Sequence, residues 1–280
     1  MKLIAKLFSI LALFQFSPAF AQDPSLAPLV NEDFLEGSVI NDNNGSGSLE
    51  VLAFGDSITR GVGDFNAVGS FIESVSPEVV GEAGYPLRIE ALFGISVANN
   101  GSPGEELIDT GLKRFASAVT SQRPDIAIIL EGANDAIFNK NDRTYFRKIQ
   151  AAINIARATG AEPVLLTPTP TCCDREGRGP LINTYASRVR EIAALNDVPL
   201  ADTAKAFTNA CGSSDCFLLN RPEGLHPNSA GYDVISEVVA ATLLRINIFA
   251  EDGRARLEEA LNLQEGSVKT VPDPVPVTEE

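Results

Sequence analysis

Apolar positions along this chain follow two alternating rhythms. Short, mostly apolar runs occur at residues 49–54, 95–98, 126–130 and 164–166, the first interrupted by Glu50 and the second by Ser96, and longer stretches whose apolar residues recur every three or four positions lie between and after them. Runs of that length, bounded by glycine and polar residues, predict strands, and the longer spacing predicts helices. Helices are expected at 86–93, 105–120, 144–159, 181–195 and 229–249, with a shorter one at 254–263. The first of these opens at Pro86 and stops before Gly94, and the third closes at Gly160. Residues 198–201 predict a fifth strand, placed at a sheet edge because Pro199 cannot donate to a ladder. The run Ile126, Ala127, Ile128, Ile129, Leu130 has no polar face, as a central parallel strand covered on both sides requires. Strands alternating with helices predict an open parallel α/β/α sandwich. Chemistry in such a sheet gathers at the carboxyl ends of the strands.

The loops leaving those ends carry the candidate chemistry. The first run breaks at Gly55 into Asp56 and Ser57, which places a hydroxyl at a strand end. A serine nucleophile needs a base for its proton and donors for the oxyanion formed on the attacked carbonyl. His226 is the single histidine among 280 residues, so an imidazole base has one candidate. Glu223, three residues earlier, can accept the other ring N–H and hold the tautomer; a backbone carbonyl is the alternative orienting group. Gly101 offers a backbone N–H and Asn134 a side-chain amide as oxyanion donors, together with the N–H of Ser57. Asp56 and Asp135 read as structural groups that hydrogen-bond neighbouring turns.

Gly55-Asp56-Ser57, Gly101, Gly132-Ala133-Asn134-Asp135 and the late His226 together resemble the four blocks of the SGNH, or GDSL, hydrolases, in order and in spacing across roughly residues 49–247. The resemblance implies a five-stranded parallel flavodoxin-like sheet. It also implies Ser57 as nucleophile, His226 as general base and acid, and Ser57, Gly101 and Asn134 as the oxyanion hole. The family usually carries aspartate three residues before the histidine, where this chain has Glu223.

The chain opens with Lys2 and Lys6, an apolar core at 7–16 and Ala19-Phe20-Ala21, which reads as a secretory signal peptide cleaved after Ala21. Loss of those lysines would take the net charge from −15 to −17, a poor match for nucleic acid or anionic lipid surfaces. No later stretch is long or apolar enough to span a membrane. Cys172, Cys173, Cys211 and Cys216 all lie in the exported part, where an even count favours two bridges. Adjacent cysteines bridge each other only with strain, so Cys172 and Cys173 are expected to cross to Cys211 and Cys216, with a local Cys211–Cys216 loop as the alternative. A zinc site is the weaker reading, since no paired C-x-x-C spacing exists.

The expected organisation is a signal peptide at 1–21, a flexible polar leader at 22–48 and a hydrolase domain at 49–250. A helical extension at 251–265 and a disordered acidic, proline-rich tail at 266–280 complete it. The excursion 61–84, after Ser57, is placed to shape a substrate cleft. The function expected is a secreted or periplasmic serine esterase that forms an acyl-enzyme on Ser57, with no metal or organic cofactor. Its substrate would be a small-molecule or polysaccharide ester, with thioesterase or lysophospholipase activity as variants of the same chemistry. A non-catalytic carbohydrate- or ligand-binding module on the same scaffold is the reading from another class. The lack of a G-x-G-x-x-G or G-x-x-x-x-G-K loop after a strand sets nucleotide binding aside.

Overall fold

The computed structural model describes residues 29–64, 84–212 and 215–263. The signal peptide, most of the 61–84 excursion and the acidic tail lie outside the described residues. Five parallel strands, β1 (Glu50–Gly55), β2 (Ser96–Gly101), β3 (Ile126–Leu130), β4 (Glu162–Leu166) and β5 (Leu200–Ala201), form one sheet in the order β2-β1-β3-β4-β5. That is the doubly wound, flavodoxin-like order, reversing direction between β1 and β3. Every residue of β3 is buried, as its unbroken apolar run requires of a central strand.

Nine α-helices lie among the described residues: α1 (Ser57–Arg60), α2 (Gly84–Phe93), α3 (Leu112–Gln122), α4 (Ala133–Ile137), α5 (Asp142–Ala158), α6 (Gly179–Asn196), α7 (Thr203–Cys211), α8 (Ser229–Leu243) and α9 (Gly253–Ala260). One layer is built where α2 and α7 pack on α8, the other where α5 packs on α3 and α6. Fully buried Tyr85, Phe93, Phe115, Tyr145, Tyr185, Phe207 and Tyr232 fill the space between helices and sheet.

Several expectations change. The second strand runs on to Gly101, because Asn99, Asn100 and Gly101 continue to pair with Ala53, Phe54 and Gly55 of β1. The helix expected over 105–120 begins as a π-helical turn, Leu107–Gly111, before α3. The last long helix stops at Leu243, where the chain turns through Arg245 at φ 54°. Residues from 29 onward do not behave as a flexible leader: Val30, Leu35, Val39 and Ile40 are buried in the core. Their backbone is fixed as well, with Asn31 N–H donating to Ala260 O and Val39 N–H to Leu243 O, both at 2.8 Å. Polar composition hid these four because they follow neither helical nor strand spacing.

The favoured crossing of the cysteine pairs is corrected, while the alternative, a local Cys211–Cys216 loop, is what forms. Cys172 pairs with its neighbour Cys173, and Cys211 with Cys216. The chain turns back after α7 and brings the Cα atoms of Cys211 and Cys216 to 4.8 Å, ordinary bridging distance, so neither sulfur is left to cross to the 172–173 loop.

Candidate active site

The end of β1 delivers Ser57 as the first residue of α1. Asp56 caps this turn, its carboxylate accepting from Ile58 N–H at 2.8 Å, and Gly61 ends it in the left-handed region at φ 98°. Gly55 has to be glycine: a methyl there would run into Leu130 O and the Thr59 hydroxyl. These local devices hold Ser57 at the carboxyl edge of the sheet.

His226 arrives from the far end of the chain. The segment before α8 folds back on itself through a Leu219–Pro227 bridge, and Asn228 caps α8 by accepting from Gly231 N–H at 3.1 Å. Asn220 staples the two halves of the site, its side-chain amide donating to Gly63 O at 3.0 Å and to Pro227 O at 3.0 Å. Arg88 pairs with Asp64 and Asp233, while Ser229 Oγ donates to Asp64 at 2.7 Å, fastening the loop after α1 to α2 and α8.

The result is a continuous hydrogen-bonded chain. Ser57 Oγ lies 2.9 Å from His226 Nε2, and His226 Nδ1 lies 2.6 Å from Glu223 Oε1. The other Glu223 oxygen accepts from the His226 backbone N–H at 3.1 Å. A carboxylate only accepts, so Nδ1 carries the ring proton and Nε2 presents its lone pair to the serine hydroxyl. Burial works to raise the Glu223 carboxyl; the hydrogen bond and charge of His226 outweigh it, leaving Glu223 below the usual glutamate value and ionised. The longer side chain, where the family usually carries aspartate, meets the backbone N–H and the Nδ1 of His226.

The expected oxyanion donors are arranged less simply. Gly101 N–H donates to Asn99 Oδ1 at 3.0 Å, and the Gly101 Cα lies against the Arg60 backbone, where a methyl would collide. Close packing under α1 therefore accounts for this glycine. Asn134 Nδ2 donates to Glu105 O at 2.9 Å and to Asp56 Oδ2 at 3.4 Å. Among the described residues the N–H groups of Ser57 and Gly104 have no acceptor. Gly104 sits in the left-handed region at φ 78° with open space around it. The sequence reading passed over it; its signal was the G-x-x-G spacing from Gly101.

Behind the site lies a group of buried carboxyls. Asp56, Glu131 and Asp135 are each 1 % exposed or less. Asp135 accepts from Leu107 and Ile108 N–H, both at 2.9 Å, the turn-holding role expected of it. Arg114 ties strand ends together, donating to Asn100 O at 2.8 Å and Gly55 O at 3.0 Å while pairing with Glu105. Desolvation pushes the Asp56 carboxyl up to about 7, with repulsion from Asp135 and Glu105 adding to it, and Glu131 well above the carboxylate range, with repulsion from Asp56, Glu105 and Asp135 adding to it. Raised folded-state values mean that the folded protein holds protons the unfolded chain has released, so stability falls as pH climbs from about 4 to about 7, by on the order of 4 kcal/mol for Asp56 alone. Glu223 and Asp202, both lowered, act in the opposite sense and withdraw stability as acid protonates them below the ordinary carboxylate range. The expected melting temperature is therefore higher near about pH 5 than near about pH 8, and Asp56→Asn flattens the difference. Thermal melts at both values check this; a wild-type protein that melts higher at the alkaline value overturns it.

An attacking hydroxyl, a correctly oriented imidazole and an ionised orienting carboxylate form the constellation of acyl transfer. Comparison with known proteins agrees. Residues 53–234 match the model of the GDSL-like lipase/acylhydrolase family. An uncharacterized lipoprotein of Bacillus subtilis, YqeF, is 26 % identical over 226 residues, covering 69 % of this chain and 88 % of that protein. The crystal structure of the lipase/acylhydrolase from Enterococcus faecalis is 28 % identical and superposes with a TM-score of 0.54, covering 70 % of this chain and 94 % of its own. An acetylxylan esterase from Geobacillus stearothermophilus shares the fold at 21 % identity, with a TM-score of 0.57 over 72 % of this chain and 96 % of its own. With the fold, the site geometry and the family match in agreement, the chain belongs to the GDSL-like lipase/acylhydrolase family and is a carboxylic ester hydrolase.

Proposed function

We propose that this protein is an exported serine esterase that removes short acyl groups, acetyl on carbohydrate among them, through an acyl-enzyme on Ser57. The observation that carries the mechanism is the Ser57–His226–Glu223 hydrogen-bonded chain. His226 takes the Ser57 proton as Oγ attacks the ester carbonyl, then returns it to the leaving alkoxide. Water deprotonated by the same imidazole releases the acyl group. Ser57 N–H, the Asn134 amide and the N–H of Gly104, in place of Gly101, receive the oxyanion, each contributing on the order of 3 kcal/mol. Asn134 turns its more weakly held hydrogen, the one on Asp56, toward the substrate.

The reading of short acyl groups is supported by the burial of Ser57 and Asn134, 6 % and 8 % exposed. Export is supported by the lead segment of the sequence and by the lipoprotein relative. Among the described residues no helix is long and apolar enough to cross a membrane. The test compares p-nitrophenyl acetate, butyrate and octanoate with acetylated xylo-oligosaccharides. kcat/KM is expected to fall at least about tenfold from acetate to octanoate, which is the loss of about 1.4 kcal/mol of transition-state binding. Preference for the longest chain would point to a lipid substrate instead.

A further inference from the structure

The feature that touches the hydrogen-bonded chain most directly, without belonging to it, is the pair of adjacent cysteines on the loop after β4. Cys172 is buried and Cys173 half-buried, and the two sulfurs are bonded to each other. The backbone on either side of this pair holds the backbone on either side of Glu223. Cys172 N–H donates to Gly224 O at 3.0 Å, and Asp174 N–H donates to Pro222 O at 3.1 Å. Both peptide carbonyls flanking Glu223 are thereby anchored to one two-residue ring and its neighbour. Contact is direct: Gly224, in the left-handed region at φ 70°, lies so near Cys172 O that a methyl on it would collide, and the same methyl would come within 3.1 Å of Cys173 Cβ. Cys173 itself has φ 56°, a conformation that non-glycine residues rarely keep unless their surroundings impose it.

We propose that the Cys172–Cys173 bridge is a positioning element for Glu223, and that opening it lowers turnover by loosening the carboxylate that orients His226. The inference rests on the assignment of Glu223 as the orienting carboxylate. With the ring closed, Cys173 is held in its left-handed conformation and the N–H groups of Cys172 and Asp174 point at the Glu223 loop. A small dithiol opens the ring by disulfide exchange: one thiolate attacks a cysteine sulfur, the Sγ–Sγ bond breaks, and the second thiolate releases the mixed disulfide. Two electrons pass to the cysteines, two protons end on their sulfurs, and the dithiol leaves as its cyclic disulfide. Cys173 then relaxes toward ordinary backbone angles, and the two anchoring hydrogen bonds lose their geometry. Such an effect acts on chemistry more than on binding, because Glu223 touches His226 and not the ester.

The lone histidine gives the test a readout independent of turnover. In the full chain labelled with 15N-histidine, every ring signal belongs to His226, and the Nδ1 proton shared with Glu223 reports their hydrogen bond. Treatment with dithiothreitol under native conditions is expected to shift or broaden that proton signal and to lower kcat by about tenfold or more, with KM changed by less than about threefold. C172S/C173S reproduces both effects and no longer responds to dithiol, whereas C211S/C216S still responds. In the cycle with E223Q, the triple variant has the kcat of E223Q alone, since both lesions remove one function. An unmoved His226 signal with unchanged kcat after reduction overturns the proposal, as does a cysteine effect that multiplies fully with that of E223Q. Should C172S/C173S not fold, the reduced wild type carries the test. Failure of the Glu223 assignment shows separately, as E223Q within a few-fold of wild type.

Discussion

Ser57→Ala is expected to lower kcat for ester hydrolysis by on the order of 10⁶, leaving at most the residual rate that binding and oxyanion donors alone provide. The size follows from geometry. In the proposed mechanism the serine oxygen forms the acyl-enzyme, and its hydrogen bond to His226 at 2.9 Å is the path by which its proton leaves. Alanine keeps the Cβ and therefore the packing beneath α1. Asp56 still caps the turn and Gly61 still closes it, so the melting temperature should move by no more than a few degrees. Initial rates with p-nitrophenyl acetate beside a thermal melt check both halves. Turnover within a hundredfold of wild type in a folded alanine variant would remove Ser57 from the role of nucleophile.

Gly101→Ala is expected to act on folding instead, costing more than about 4 kcal/mol and leaving little soluble native protein. A methyl there meets the backbone N and Cα of Arg60 and comes 2.8 Å from its Cβ. None of these can swing aside like a side-chain tip, because Arg60 closes the helix that begins at Ser57. The neighbouring Gly55 pairs with Gly101 in register and is confined in the same way, so the two strands and α1 have no slack to share. Gly104→Ala is the contrast: open space surrounds it, and the cost is the roughly 1 kcal/mol of a positive φ. Soluble yield and melting temperature separate the two. A Gly101→Ala protein that folds and melts like the wild type would overturn the close-packing account of Gly101.

These two glycines show where the sequence was legible and where it was not. β3 was plain in its unbroken apolar run, and the sandwich followed from strands alternating with helices, because burial on both faces leaves no other pattern. Ser57, Glu223 and His226 were legible as chemical types, the first at the end of β1 and the other two on the segment before α8. Gly101 was read as a donor because glycine at a strand end serves close packing and backbone exposure equally well, and only the position of Arg60 tells them apart. The short helices α1 and α4 have too few turns to show a period. α7 went unread although Asp202 caps it and Ala206, Phe207 and Ala210 line its buried side, since small alanines blur the apolar stripe. Cysteine pairing depends on how two loops turn, which neither spacing nor count records.

The fixed segment ahead of β1 has a consequence for how the enzyme meets its surroundings. Asn44 and Glu50 N–H both donate to Asp125, at the amino end of β3, and the Leu29 side chain fills the space beside Gly94, just ahead of β2. Asn31 meets Ala260 there as α9 finishes. The segment from residue 29 therefore lies at the amino edge of the sheet, away from Ser57 at the carboxyl edge. Anything that meets the segment 29–48 therefore meets the edge of the sheet opposite Ser57.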